Sequence, residues 1–170
     1  DIDEAGLASL GEAGVIPVVA DCASDTDMRR MVELAMARTG RIDVLFSNAG
    51  YGLRRRVEDF GDGEYERLIA VHLFGALYSM RAAIPHMRAG GYGRIITTLS
   101  RGGEAATPGN SAYASAKAAL WALMRTTAEE VHEHGILVNG LIPGMTNTAI
   151  WPQPRPDLQP PEAVYPTVKM

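Results

Sequence analysis

The chain has 170 residues, 46% of them apolar and 21% charged, and a formal net charge of −4. These values predict one soluble globular domain with a hydrophobic core, and they argue against a nucleic-acid-binding surface. The single cysteine, Cys22, excludes an internal disulfide, no Cys/His spacing indicates a metal site, and neither a membrane span nor a signal peptide is evident, so we expect a cytoplasmic protein.

Strands and helices alternate along the chain. Short apolar runs predict four strands, at 15–20, 42–46, 95–99 and 136–142. Helical spacing of apolar residues predicts helices over 1–14, over 24–39, over 61–86 and from Asn110 or Ser111 onward. Ser24 and Asp27 form a capping box at the start of the second helix. Repeated strand and helix units predict an α/β fold, a doubly wound parallel sheet with helices on both faces.

Composition changes near residue 150. Residues 1–150 carry the predicted strands and long helices, whereas 151–170 contain six prolines. Because proline removes a backbone donor and clashes with a preceding helical turn, the second segment is predicted to be a loop with one short helical piece at most.

Three polar residues form the candidate active site. Ser100 ends a predicted strand, and Tyr113 and Lys117 lie four residues apart on the next helix, so their side chains share one face. A cation within about 4–6 Å favours a phenolate and lowers the pKa of a tyrosine, which makes proton transfer feasible near pH 7. The Ser100 hydroxyl is placed to hold a substrate oxygen. The same Tyr–Lys pair is also compatible with an ordinary surface contact.

These residues resemble the catalytic signature of the short-chain dehydrogenase/reductase family. Three further stretches are similar to motifs of that family: VVADCASD at 18–25, SNAG at 47–50 and PGMTNT at 143–148. They follow the family's order and spacing over most of the chain up to Thr148. The resemblance implies a Rossmann-like fold and an oxidoreductase that interconverts a secondary alcohol and a carbonyl compound by hydride transfer with NAD(P).

The resemblance also implies roles for single residues. Tyr113 would exchange the proton, Ser100 would orient the substrate oxygen, and Lys117 would lower the tyrosine pKa and bind the nicotinamide ribose. The residues implied at the cofactor are Asp1, Asp21, Cys22, Asn48, Ala49, Gly50, Tyr113, Lys117, Pro143, Gly144 and Thr148. Asp1 matches an acidic residue that contacts the adenosine ribose and favours NAD over NADP. The alternative is a solvated terminal charge.

Three features depart from the family pattern. His72 stands where the family has an asparagine that completes a proton relay and fixes a kink in a long helix. Histidine can also carry a proton, so we include His72 among the catalytic candidates; a core histidine satisfied by a carbonyl is the alternative. No glycine-rich turn follows a strand and no final strand follows the lid-like segment 151–170, so we expect a fragment that is incomplete at both ends.

The sequence also supports expectations about binding partners and leaves alternative functions open. We expect a small-molecule alcohol or carbonyl substrate, no nucleic acid or membrane partner, and a homodimer or homotetramer. A strip of small residues on the last predicted helix favours association: Ser115, Ala119, Ala122 and Thr126. Residues 54–56, three arginines, are interpreted as a solvated face rather than an anion site. The alternatives are a non-catalytic remnant that serves as a binding or scaffold domain, and a dehydratase or epimerase that uses the same tyrosine.

Overall fold

The computed structural model describes residues 1–8, 10, 14–148, 150 and 153–164. Within these residues one sheet contains three parallel strands, β1 (Val44–Ser47), β2 (Gly93–Thr98) and β3 (Ile136–Leu141). Their order is β1-β2-β3, with Leu45 beside Ile95 and Ile95 beside Val138. The parallel arrangement confirms the predicted class of sheet, and it brings the carboxyl ends of the strands to one edge.

Helices follow each predicted helical pattern. Within the described residues they are α1 (Glu4–Ala8), α2 (Asp25–Thr39), α3 (Glu64–Ile69), α4 (Gly75–Gly90) and α5 (Ser111–Val131). Short 3-10 turns lie at Val57–Asp59, Arg101–Gly103, His132–His134 and Pro161–Ala163. A π-helical turn, Ala70–Phe74, joins α3 to α4. One long helix therefore runs from residue 64 to residue 90, where the sequence predicts 61–86.

Capping residues determine where α2 begins and ends. The Ser24 hydroxyl accepts the Asp27 backbone N–H at 3.2 Å, and Gly40 ends the helix with φ of 71°. Only half of the predicted capping box is present, because the Asp27 carboxylate instead accepts the backbone N–H of Asp21. This contact fastens the start of α2 to the segment before it.

The core lies between one face of the sheet and the three long helices. Side chains of that face, including Leu45 and Ile95, pack against Met80 and Met87 of α4 and Leu120 of α5. The 64–90 helix is long and apolar enough to cross a membrane by length and composition alone. Its core-facing residues Ala76, Met80, Ala83 and Met87 are buried, and 44% of its most apolar window lies inside the structure, as in the core helix of a globular protein.

The opposite face of the sheet carries exposed apolar side chains. Val44, Phe46 and Leu137 are 57%, 40% and 48% exposed. Strand side chains alternate between faces, so these residues point away from the helices that cover the core. The long helices of the described residues therefore cover one face, whereas the sequence predicts helices on both.

The predicted strand over 15–20 is wrong, because these residues belong to no strand in the structure. The amino group of Asp1 donates to the Val18 carbonyl at 3.2 Å, and the Ala20 N–H donates to the Asp1 carbonyl at 2.9 Å. This is the bond pattern of a parallel ladder, yet a one-residue partner is too short to define a strand. Of the helix predicted over 1–14, α1 is the described part, while residues 9 and 11–13 lie outside the described residues.

The loop after β3 folds against the proline-rich segment. Asn147 donates its backbone N–H to the Gln159 carbonyl at 2.9 Å and accepts the Arg155 N–H on its side chain at 2.7 Å. The Gln159 amide donates to the Thr146 hydroxyl at 3.0 Å. Residues 151, 152 and 165–170 of the predicted tail lie outside the described residues, and within 153–164 the helical structure is one 3-10 turn.

Candidate active site

Several predicted site residues lie at the carboxyl edge of the sheet. Residues 48–50 follow β1, Ser100 lies beyond the end of β2, and Pro143 and Gly144 follow β3. These residues are far apart along the chain, and the parallel order of the strands brings them to the same edge. Ligands of open α/β sheets bind at such an edge.

Ser100 and Tyr113 face a small space beside Gly102. The Ser100 hydroxyl oxygen accepts the Gly102 N–H at 3.0 Å and caps the following 3-10 turn. A β-carbon added to Gly102 would lie 3.2 Å from Ser100 Oγ and 3.2 Å from Tyr113 Cε1. The serine hydroxyl and the tyrosine ring therefore approach the same point, and the hydroxyl hydrogen of Ser100 is not used in the bond to Gly102.

Lys117 holds a buried ammonium next to this tyrosine. Its side chain is 4% exposed, and Nζ donates to the Thr98 carbonyl at 2.7 Å. Nζ lies 5.6 Å from the centroid of the Tyr113 ring. Burial lowers the pKa of Lys117 to about 8, so the group still carries its charge at neutral pH.

Thr98 is a site residue that sequence reasoning missed. Its carbonyl holds Lys117 of α5, and its hydroxyl donates to Asn48 Oδ1 at 2.8 Å. One residue at the end of β2 therefore fixes two side chains predicted to contact a cofactor. Asn48 lies 50 residues from Thr98 in the chain, so no local pattern could have indicated this contact.

His72 lies in the π-helical turn, at the back of the same site. It is 3% exposed, and its Nε2 lies 2.8 Å from the oxygen and 3.1 Å from the nitrogen of Tyr51. Its ring meets the Tyr113 ring edge-on, with centroids 5.3 Å apart. Burial, assisted by the charge of Lys117, lowers the pKa of His72 to about 4. The backbone carbonyl contact agrees with the core-histidine interpretation, and the catalytic one stays a prediction.

Asp21 is paired with a residue that the sequence did not suggest. Two nitrogens of Arg67 bind its two carboxylate oxygens at 2.8 and 3.0 Å, and the Ala23 N–H donates to Oδ1 at 3.0 Å. The hydrogen bond from Arg67 is the main cause that lowers the pKa of Asp21. Arg67 lies 46 residues away in the chain, which explains why it was missed. Cys22 is half-buried, and burial raises the pKa of its thiol.

The remaining predicted residues are exposed or engaged locally. Asp1 accepts the Asp3 N–H on its carboxylate at 3.0 Å, and its backbone places it beside residues 18–20, next to Asp21. Thr148 lies in the loop after β3, where its hydroxyl accepts the Ile150 N–H at 3.5 Å. The structure thus groups Ser100, Tyr113 and Lys117 closely, while no described contact joins Thr148 or Asp1 to them.

The predicted arginine run 54–56 is exposed. Arg55 lies 3.4 Å from Glu64, and Arg56 lies 4.0 Å from Glu58. Such exposed pairs contribute little to stability. Their exposure agrees with the interpretation as a solvated face.

Comparisons with known proteins agree with this geometry. A family model described as short chain dehydrogenase matches residues 3–159. A D-beta-hydroxybutyrate dehydrogenase of Rhizobium meliloti (strain 1021) is 36% identical over 89% of this chain and 58% of its own length. Crystal structures of an NAD+-bound xylitol dehydrogenase and of a metagenomic short-chain oxidoreductase in complex with NADP are 32% and 29% identical. The xylitol dehydrogenase structure has a TM-score of 0.77 and matches 86% of this chain and 57% of its own. The NADP complex has a TM-score of 0.76 and matches 85% of this chain and 68% of its own.

The chain spans about half the length of the curated relatives that it matches. The matched region nevertheless includes Ser100, Tyr113 and Lys117 at the carboxyl edge of a parallel sheet. The chain belongs to the short-chain dehydrogenase family.

Proposed function

We propose that the whole protein is an NAD(P)-dependent oxidoreductase that interconverts a secondary alcohol and a ketone. The observation that carries the proposal is the buried Lys117 ammonium beside Tyr113, at the sheet edge that also holds Ser100. Burying an ammonium with one backbone carbonyl partner costs folding free energy, and perturbed bases of this kind cluster at functional sites.

The three side chains have complementary roles in this proposal. When a ketone is reduced, the Tyr113 hydroxyl gives its proton to the carbonyl oxygen of the substrate. The Ser100 hydroxyl oxygen accepts the Gly102 N–H, so its hydrogen is left to bond elsewhere. In this proposal that hydrogen is donated to the same substrate oxygen. The charge of Lys117 stabilises the negative charge that develops on the tyrosine oxygen. The reverse reaction exchanges donor and acceptor roles.

The donor and acceptor groups at the sheet edge fit a nicotinamide dinucleotide. Lys117 uses one of its three N–H groups on Thr98, which leaves two for ribose hydroxyls. Asn48 accepts on its amide oxygen, so its NH2 group is left to donate. When bound, the nicotinamide supplies or accepts the hydride. We assign Asp21 to the adenine, residues 48–50 to the adenosine ribose, and Thr148 to the nicotinamide carboxamide.

We further propose that NAD is preferred to NADP. Asp1 lies beside the segment that leads into Asp21, where its carboxylate would bind adenosine ribose hydroxyls and repel a 2′-phosphate. Asp1→Ser should therefore narrow the ratio of kcat/KM for NAD to kcat/KM for NADP. Steady-state kinetics with both cofactors measure this ratio. Equal values in the unmodified protein would contradict the assignment.

The proposed function is tested with the whole protein and a panel of ketones, by the absorbance of the reduced nicotinamide. Turnover is expected, and Tyr113→Phe should reduce kcat by at least about 100-fold, since general acid–base groups contribute 10²–10⁴-fold. Affinity for NADH should stay unchanged, because the ring and its packing remain. Cofactor binding without turnover on any ketone would favour the non-catalytic binding domain instead.

A further inference from the structure

We propose that His72 is a positioning residue that clamps the loop of residues 48–51 to the long helix, and that Gly50 is glycine because the imidazole occupies the space of its side chain. The proposal rests on the proposed function for one step, the contact of this loop with the cofactor. The contacts of His72 with Tyr51 and Gly50 do not depend on the proposed function.

The clamp consists of contacts to the Tyr51 backbone. His72 Nε2 lies within hydrogen-bond distance of both the oxygen and the nitrogen of Tyr51, at 2.8 and 3.1 Å. A neutral imidazole nitrogen either donates or accepts, so each tautomer holds the loop at the same residue. The other nitrogen, Nδ1, is buried and has no hydrogen-bond partner among the described residues. The Nε2 contact alone is sufficient for a clamp.

Gly50 approaches the ring too closely for any other residue. A β-carbon at position 50 would lie 2.3 Å from His72 Cε1 and 2.7 Å from Nδ1. The φ of Gly50 is not in the positive range that favours glycine, since the positive-φ glycines of the described residues are others. The need for glycine at this position is therefore steric, and the imidazole causes it.

The clamp acts on a loop that is held at both ends. Asn48 is fastened by the Thr98 hydroxyl, and Tyr51 is fastened by His72. The π-helical turn carries His72 into the site, and its ring also packs edge-on against Tyr113. One buried side chain therefore sets the position of the loop relative to Tyr113.

Two substitutions in the whole protein separate the clamp from a proton carrier. His72→Gln keeps an amide that reaches Tyr51 but cannot carry a proton, and His72→Leu keeps bulk without a hydrogen bond. We expect His72→Leu to speed hydrogen exchange of residues 48–51 and to raise the Kd for NADH about tenfold, the scale of one lost buried hydrogen bond. We expect His72→Gln to stay within about threefold of the unmodified protein in Kd and kcat. A large loss of kcat in His72→Gln with unchanged exchange would overturn the proposal.

Gly50→Ala tests the steric half of the proposal. It should raise hydrogen exchange of residues 48–51 and the Kd for NADH when His72 is present, and add nothing in a His72→Ala background. If the effects of Gly50→Ala and His72→Ala were additive, the proposal that the imidazole causes the need for glycine at position 50 would be overturned. Hydrogen exchange does not depend on turnover. A whole protein without dehydrogenase activity would therefore refute the proposed function, while the exchange data still decide for or against the clamp.

Discussion

At the scale of single residues, burial of two basic side chains determines how the site responds to pH. Lys117 and His72 are almost fully buried, and burial favours their neutral forms. The pKa of Lys117 is lowered to about 8 and that of His72 to about 4. At neutral pH the site therefore holds one charged ammonium and one neutral imidazole.

We predict that cofactor affinity falls as pH rises through about 8, where Lys117 loses its proton. The physical reason is the loss of the ammonium charge and of one donor to the ribose hydroxyls. Titration of NADH binding to the Tyr113→Phe variant measures this effect without a contribution from the phenol. Constant affinity up to pH 10 would show that Lys117 does not hold the cofactor.

A second prediction concerns stability in acid. The folded pKa of His72 lies near 4, below the ordinary value of 6.5, so unfolded chains bind a proton more readily between these values. The contribution of neutral, buried His72 to the free energy of unfolding is complete above about pH 6.5 and is lost as pH falls through about 4. We expect the free energy of unfolding to decrease by about 2 kcal/mol between pH 7 and pH 5 through this residue. Urea denaturation of the protein and of His72→Gln should show a smaller decrease in the variant; equal decreases would refute the linkage.

At the scale of elements, α5 carries the site on one face and small residues on another. Tyr113 and Lys117 face the sheet edge, and the strip of small residues predicted for association includes the exposed Ala122 and Thr126. Ser115, at one end of the strip, accepts a hydrogen bond from Tyr65 of α3 at 2.9 Å. The strip is therefore partly bordered by α3, and its other half is open to solvent.

We predict that the whole protein associates through its two long helices, residues 64–90 and α5, with this strip at the contact, because small residues allow close helix contact. Ala122→Glu should convert dimers or tetramers to monomers, since a buried unpaired carboxylate would oppose contact. Ala37→Glu is the matched control, because Ala37 is an exposed alanine of α2, outside the two long helices. Sedimentation at micromolar concentration measures the oligomeric state of each variant. A monomeric unmodified protein, or equal effects of both substitutions, would contradict the prediction.

At the scale of the whole molecule, the sheet is covered unevenly. Its inner face is closed by α2, α4 and α5, while Val44, Phe46 and Leu137 are exposed on the other face. Contiguous exposed apolar surface promotes association and binds apolar probes. From these exposed side chains we infer that this face of the described sheet favours association of the isolated chain.

We predict that the isolated chain binds an apolar fluorescent dye and aggregates at micromolar concentration. Phe46→Lys should reduce both, because it places a charge in the exposed sheet face. Val57→Lys is the control, since Val57 is 74% exposed but lies in a 3-10 turn away from the sheet. Light scattering and dye fluorescence measure the effects. An equal improvement in both variants would mean that general charge, and not the sheet face, controls aggregation.

The features that could be predicted from the sequence are local ones. The sequence predicts three of the strands, near 42–46, 95–99 and 136–142, and the Ser24 cap of α2, because hydrophobic spacing and capping residues act over a few neighbours. The same holds for the Tyr113–Lys117 spacing, which one helical turn explains. Contacts between distant segments depend on the folded arrangement and were not predictable: Arg67 with Asp21, Thr98 with Asn48, and His72 with Gly50 and Tyr51. The strand prediction for residues 15–20 failed because it also depends on a distant segment. A strand forms only where a partner strand completes its backbone hydrogen bonds.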